Sequence, residues 1–291
     1  MTVKEPRQAK DIKSSMTCHI TDSLQLLSRN PLPDSKAIHD IRVMMKKHRA
    51  AVRLVRPLLE ESVYRREYLA GRETGRVLAS WRETAVIRKT VKALKKENPE
   101  LFLKLWDNEK IMSLLRKPYS TWEEAGLQAE TVKEVADQLT KANYRLRFIS
   151  LREPDFHLLL GELEKNYDVA AAAYLACRNN PKPRLLHEFR KKSKTLMYQL
   201  GYFRHLNTSQ VKSMEKKLDA MTQNLGRFND LVQVMTLTES RLGAKDNSDV
   251  ANELAIVIRD RQDRYLMKVW PVAYCLFTPG RKLQDLLNIS F

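Results

Sequence analysis

Apolar residues recur every three to four positions along most of this chain. That period predicts helices at about 10–29, 35–60, 63–74, 76–97, 123–150, 155–178, 184–206, 208–226, 228–242 and 248–270. The pattern is sharpest in two of these segments. On a helix advancing about 100° per residue, Ile41, Met44, Met45, Ala51, Val52, Val55 and Leu59 share one arc, and His39, Arg42, Lys46, Arg49, Arg53 and Arg56 share the opposite one. In 184–206, Phe189, Leu196, Leu200 and Phe203 take the corresponding core face, and His187, Arg190, Lys194 and Arg204 the corresponding polar face. Each helix thus offers an apolar side to a core and a cationic side to something else. Only 8 glycines and few Val/Thr alternations interrupt the helical period, so the expected fold class is all-α. Prolines at 31/33, 99, 154, 181/183 and 271 punctuate it.

The two basic helices are copies of one another. His39 and His187 lie 148 residues apart, each just after a Pro-x-Pro turn, and in both copies Arg follows three residues on and Lys seven residues on. Leu78, Trp81 and Glu83 answer to Leu225, Phe228 and Asp230 at an offset of 147, and 29–31 resembles 178–181. The chain therefore divides into two units, 1–151 and 152–291. Each is expected to be a bundle of four or more helices, the pair related by a pseudo-two-fold axis that lets the stripes face each other. No Gly/Ser linker separates them, so the boundary near 151–154 reads as a tight turn. His48 sits in the middle of the apolar arc, opposite Leu196 in the repeat, and is expected in the core.

Charge sharpens the reading. No acid occurs in 41–59 or in 189–214. Like charges three or four apart on a helix cost roughly 0.2–0.5 kcal/mol per pair, so each stripe destabilises its own helix unless an anion compensates. His39 and His187 occupy first turns, where unpaired backbone N–H groups also attract anions. The whole chain carries 52 Lys+Arg against 35 Asp+Glu, a net +17, which concentrates nucleic acid, an acidic membrane surface or a phosphate polymer around it. Three scattered cysteines, Cys18, Cys177 and Cys275, without a CxxC pair, argue against a disulfide framework or a thiolate zinc site and suit a reducing compartment. Residues 1–13 lack the apolar stretch of a signal peptide. The longest apolar runs, 169–177 and 269–277, are too short to span a bilayer. The expectation is a cytoplasmic protein.

Catalytic signatures are missing. His187-Glu188 opens like HExxH, but position 191 is lysine and the second ligand is lost; 162–165 falls one residue short of the ExExK pattern. No GxxxxGK[ST], GxGxxG or GxSxG occurs, and no nucleophile and base pair stands out. Glu83 and Asp230 are acids at matched positions, suited either to orienting a stripe residue or to capping a helix.

The paired His-x-x-Arg-x-x-x-Lys spacing, His39/Arg42/Lys46 and His187/Arg190/Lys194, with its downstream segments 78–83 and 225–230, resembles the CHAD family, the conserved histidine α-helical domain, over roughly 10–280. The resemblance implies two four-helix bundles around a pseudo-two-fold and a basic central cleft or pore that binds inorganic polyphosphate. Carried onto this chain, the implied contacts are His39, Arg42, Lys46 and Arg49 in the first half and His187, Arg190, Lys191 and Lys194 in the second. Arg53, from the stripe, and Arg82, beside Glu83, complete the expected polyphosphate site. Departures exist: Met197 and Gly201 stand opposite Arg49 and Arg53, and the family's usual Arg-Asp pair appears as Arg82-Glu83 in the first half and as Asn229-Asp230 in the second. The expected function is a non-catalytic binding or targeting module without cofactor or metal, cytoplasmic, with polyphosphate granules as one setting. The alternative is a nucleic-acid-binding protein that uses the same basic surface, although Tyr198 is nearly the only aromatic on the stripes for a base to stack on.

Overall fold

The computed structural model describes residues 7–29, 33–106, 125–151, 156–242 and 249–289, with the side chains of 7–10, 80–84, 106, 125–128 and 240–242 outside that description. The described residues form helices and no strand: α1 (Arg7–Leu27), α2 (Ser35–Leu54), α3 (Glu61–Val77), α4 (Ala79–Glu97), α5 (Pro99–Trp106), α6 (Ala125–Phe148), α7 (Phe156–Asn179), α8 (Pro183–Leu200), α9 (Thr208–Leu242), α10 (Asp249–Phe277) and α11 (Leu283–Leu287).

Local chemistry sets the ends of the two basic helices. Asp34, in extended conformation, accepts a hydrogen bond from the Ala37 N–H at 2.6 Å and so starts α2. Pro57 has no N–H to continue the ladder, and the chain passes into a 3-10 turn, Arg56–Leu58, so α2 ends at Leu54, short of the expected 60. Pro183 opens α8 at a first-turn position, where the missing N–H costs nothing.

Three boundaries depart further from the periodicity. Pro99 punctuates as expected, between α4 and α5, but the helix it opens was not expected. Residues 208–242 form one helix where two were expected to meet at 227. Helix α10 runs through Pro271 to Phe277 instead of stopping at 270. Of the expected turn at 151–154, residues 152–154 lie outside the described residues.

Helix α2 packs between α1 and α3, with α6 against both of these; α8 packs between α7 and α9, and α9 against α10. The two basic helices also pack directly on each other. Their apolar arcs are where the periodicity puts them: Ile41, Met45, Val52 and Val55 of the first, and Phe189, Leu196, Leu200 and Phe203 of the second, are all buried in one core that draws on both sequence halves. His48 is fully buried there too. Each of the apolar side chains contributes roughly 1.5–3 kcal/mol by leaving water. At the α2–α8 contact a buried hydrogen bond, Gln199 Nε2 to the Ala50 carbonyl at 3.0 Å, fixes the register. A second core joins Ile87, Leu94, Phe102 and Leu105 of α4 and α5 to Leu231, Val234, Leu254 and Ile258 of α9 and α10. None of the described helices is long and apolar enough to cross a membrane.

Candidate functional site

The site begins with two arginines held in the same manner. Arg42 donates to the carbonyl oxygen of Gly75, and Arg190 Nε donates to that of Thr222 at 3.1 Å. The two arginines are 148 residues apart and their acceptors 147, so the repeat seen in the sequence is repeated in contacts. A carbonyl aims a guanidinium without cancelling its charge. In the second half the Arg190 guanidinium lies against Gly226 of α9, where an added Cβ would come within 3.1 Å of Nη2 and 3.2 Å of Nε. Gly226 is thus a seat for Arg190 rather than a helix break.

Lys46 stands where the two stripes meet. Burial first, and then the charges of Arg190, Arg42, Arg49 and Lys194 in that order, push its ammonium down to about 8. Two of those cations come from its own helix and two from α8, so tertiary packing brings both rows into one electrostatic site. Further along α2, Arg49 and Arg53 lie over the ring of Tyr68, at 5.9 and 5.2 Å from its centroid, and Arg53 Nη2 donates to the Tyr68 hydroxyl at 2.9 Å. Arg56 lies 4.7 Å from the Tyr64 centroid and pairs with Glu61 at 3.2 Å. Aromatic faces support cations while leaving their outer edges polar. Burial, then the charges of Arg53 and Arg72, lower Arg49 from its ordinary value against the opposing pull of Tyr68.

Tyr64, Tyr68 and Arg72 were not among the expected site residues, although their i, i+4 spacing on the predicted 63–74 helix puts them on one face.

The second half is less open. Lys194 Nζ pairs with Asp219 Oδ1 at 2.9 Å, Gln223 donates to the other oxygen of that carboxylate at 2.7 Å, and the ammonium lies 5.7 Å from the Tyr198 centroid. Asp219 comes from α9, outside the acid-free stretch, and its counterpart 147 residues earlier is Arg72. Lys191 is exposed and bridged to Glu188 at 2.5 Å; its charge is not among those that bear most on Lys46. Arg204, placed on the stripe by periodicity, is exposed and held by both oxygens of Glu215, at 2.9 and 3.0 Å.

His187 is half-buried beside Arg190. Burial, then Lys191 and Arg190, lower its pKa against the Glu188 charge and a hydrogen bond with Asn229, which keeps the ring neutral at pH 7. His39 is likewise half-buried, in the first turns of α2. The side chains of Arg82 and Glu83 lie outside the description, while the backbone of Arg82 belongs to the start of α4, which packs on α2 and α9. Among the described residues no group of three or more His, Cys, Asp or Glu side chains could hold a metal ion.

A helical protein whose duplicated basic helices meet over a shared core, each with its arginine hung from a carbonyl of the following helical hairpin, is the class this architecture defines. The chain belongs to the CHAD domain family, whose sequence model matches residues 19–239. A solved relative in fold is the crystal structure of the CHAD domain from the plant Ricinus communis. It is 15% identical, with a TM-score of 0.58 over 93% of this chain and 92% of that one. No curated protein sequence matches the chain.

Proposed function

We propose that this protein binds inorganic polyphosphate along the row formed by Arg53, Arg49, Lys46, Arg42, Arg190 and Lys194, and that it does so as a binding module rather than an enzyme. One observation carries the reading: Lys46 is half-buried among four cations, and the charges acting most on it are all positive. Asp219 offsets part of the charge of Lys194 and Asp230 part of that of Arg190, but Lys46 itself meets net repulsion in the empty protein, which an extended anion supplying one charge per phosphate would relieve. Carbonyl-hung guanidinium groups offer paired donors to phosphate oxygens, and neutral His187 adds a hydrogen-bonding group at the edge. The matched Arg42 and Arg190 contacts support two related helical units. Asp219 makes the second the weaker contributor.

The test is calorimetric titration with phosphate polymers of graded length. Replacing Arg42, Lys46, Arg190 and Lys194 together by alanine, in protein whose helical circular dichroism is retained, is expected to weaken long-chain binding by about a hundredfold or more, on the scale of several charge-assisted hydrogen bonds. Unchanged affinity refutes the proposal. Single-stranded DNA of equal charge, binding tighter than polyphosphate and resisting displacement by it, would instead favour a nucleic-acid ligand through the same cations.

A further inference from the structure

Gly71 and Gly226 lie inside helices where an added Cβ would crowd Arg49 or Arg190, so close approach within the chain accounts for both. Gly161, inside α7, has no such account. Nothing lies within 4 Å of the place its Cβ would take, although glycine weakens a helix interior relative to alanine. It belongs to the outer face of α7, whose inner face, with Leu163, Ala170 and Tyr174, is buried, chiefly against α8. On a helix advancing about 100° per residue, Leu158, Gly161, Lys165, Asp168, Ala172 and Leu175 fall within an outer arc of about 100°, and all are exposed or half-buried. The leucines, 46 and 37% exposed, leave a large apolar side chain in water at either end of that arc.

The residues of this face read alike from both ends. Leu158 and Leu175, Gly161 and Ala172, and Lys165 and Asp168 are each placed symmetrically about the point midway between residues 166 and 167. Leucine answers leucine, a small residue answers a small residue, and a lysine answers an aspartate. A two-fold axis crossing the helix at that point points along the centre of the outer arc, by the same step of about 100° per residue. That is the pattern of an isologous contact, in which one residue meets a second and the second meets the first.

We propose that the outer face of α7 is a homodimer interface, on which two copies of the chain pack their α7 helices antiparallel about this axis. Gly161 of each copy lies against Ala172 of the other, where the absence of bulky side chains lets the helix axes come close. Lys165 of each pairs with Asp168 of the other, and Leu158 with Leu175 at both ends. The charges are available for this. Lys165 is 74% exposed and reaches Glu162 of its own helix at 3.8 Å, the outer edge of an ion pair, and no ion pair among the described residues engages the exposed Asp168. The inference is independent of the polyphosphate reading, because the cation row lies on α2 and α8.

The test is sedimentation velocity on the full chain, freed of polyanions, from micromolar to submillimolar concentration, the range suited to a contact of one helix from each copy. The parent chain is expected to pass from monomer to dimer across it. Lys165→Glu sets acids face to face at both positions, and Asp168→Lys sets lysines face to face. Each change, with helical circular dichroism retained, is expected to weaken self-association by about tenfold or more. Mixed in equal amounts, the two variants regain opposite charges at both positions and are expected to dimerise with each other about as well as the parent does with itself. A role of either charge within its own copy is not rescued by mixing. A parent chain that stays monomeric at the highest concentration overturns the proposal. A dimer that both single variants leave intact, or variants that fail to associate on mixing, overturns it as well.

Discussion

At the scale of single residues, Lys46 and Asp219 determine how an anion meets the site. The Lys46 ammonium is pushed down to about 8 in the empty protein, and a bound phosphate chain would restore it toward its ordinary value near 10.5. Above pH 8 the free protein must therefore take up a proton to bind. Polyphosphate affinity is expected to fall as pH rises through that window, approaching tenfold per pH unit, while Lys46→Arg stays flat; titrations at pH 7, 8 and 9 check this. The Lys194–Asp219 bridge, with the carboxylate 44% exposed, competes with the ligand for one of the row's cations. Asp219→Asn is expected to strengthen binding severalfold, about 0.5–1 kcal/mol on the scale of a partly exposed pair, and no gain would show that Lys194 lies outside the binding row.

Two histidines, His48 buried and His19 half-buried, set a different pH response. Burial, then His48 and Lys47, hold His19 at about 4, and burial holds His48 at about 4 against its hydrogen bond with the Met16 carbonyl. Both rings are neutral in the fold at pH 7. As pH falls from about 6.5 toward 4 the unfolded chain binds protons that the folded one refuses, so stability is lost across that window. Leucine stands at the repeat position of His48, and His48→Leu is expected to narrow the difference in melting temperature between pH 7 and pH 5, even if it lowers both values.

At the scale of elements, the basic helices were legible because a helical face is a local property, and the misread boundaries were not. Gly226 sits within a single helix of 35 residues, at a place where an added Cβ would come within 3.1 Å of the Arg190 guanidinium and make it shift. Alanine in a helix interior normally gains about 1 kcal/mol over glycine. Here Gly226→Ala is expected to leave thermal stability within about 1 kcal/mol of the parent, because the displaced group is the mobile end of a side chain. The same substitution should weaken polyphosphate binding severalfold as the guanidinium shifts; calorimetry and thermal melts on one sample separate the two effects. Gly71 is the stricter case. A Cβ there would lie 3.0 Å from Arg49 Cγ and 3.2 Å from His48 Cδ2, so it fixes how closely α3 approaches α2 and keeps Tyr68 under the arginines. Its spacing in the sequence carries no sign of that approach.

At the scale of the whole molecule, the net charge of +17 attracts any polyanion, and the site should show itself as a discrete part of that attraction. On a single-stranded polyanion, each cation that neutralises a phosphate adds about 0.7 to the steepness with which log affinity falls against log salt. The quadruple Arg42, Lys46, Arg190 and Lys194 variant is thus expected to show a slope shallower by about 3, whereas removing four exposed lysines elsewhere should change it little. A polymer held by diffuse charge would respond equally to both sets of substitutions.

The sequence by itself determined the helical class, the two stripes, the burial of His48 and the family, because each rests on spacing along one chain: 3.6 residues per turn, and a repeat at 147–148. Even the Glu188–Lys191 bridge was available there, three residues apart on one helix. Only the tertiary structure decided which cations share a field. Lys46 lies within reach of Arg190 and Lys194 because α2 crosses α8 at a register fixed by Gln199 and Ala50. Asp219 reaches Lys194 from another helix, and Tyr68 reaches Arg49 and Arg53 from a third. Helical periodicity fixes the direction in which a side chain leaves its own axis; the separation between side chains on different axes comes from how the cores between them fill.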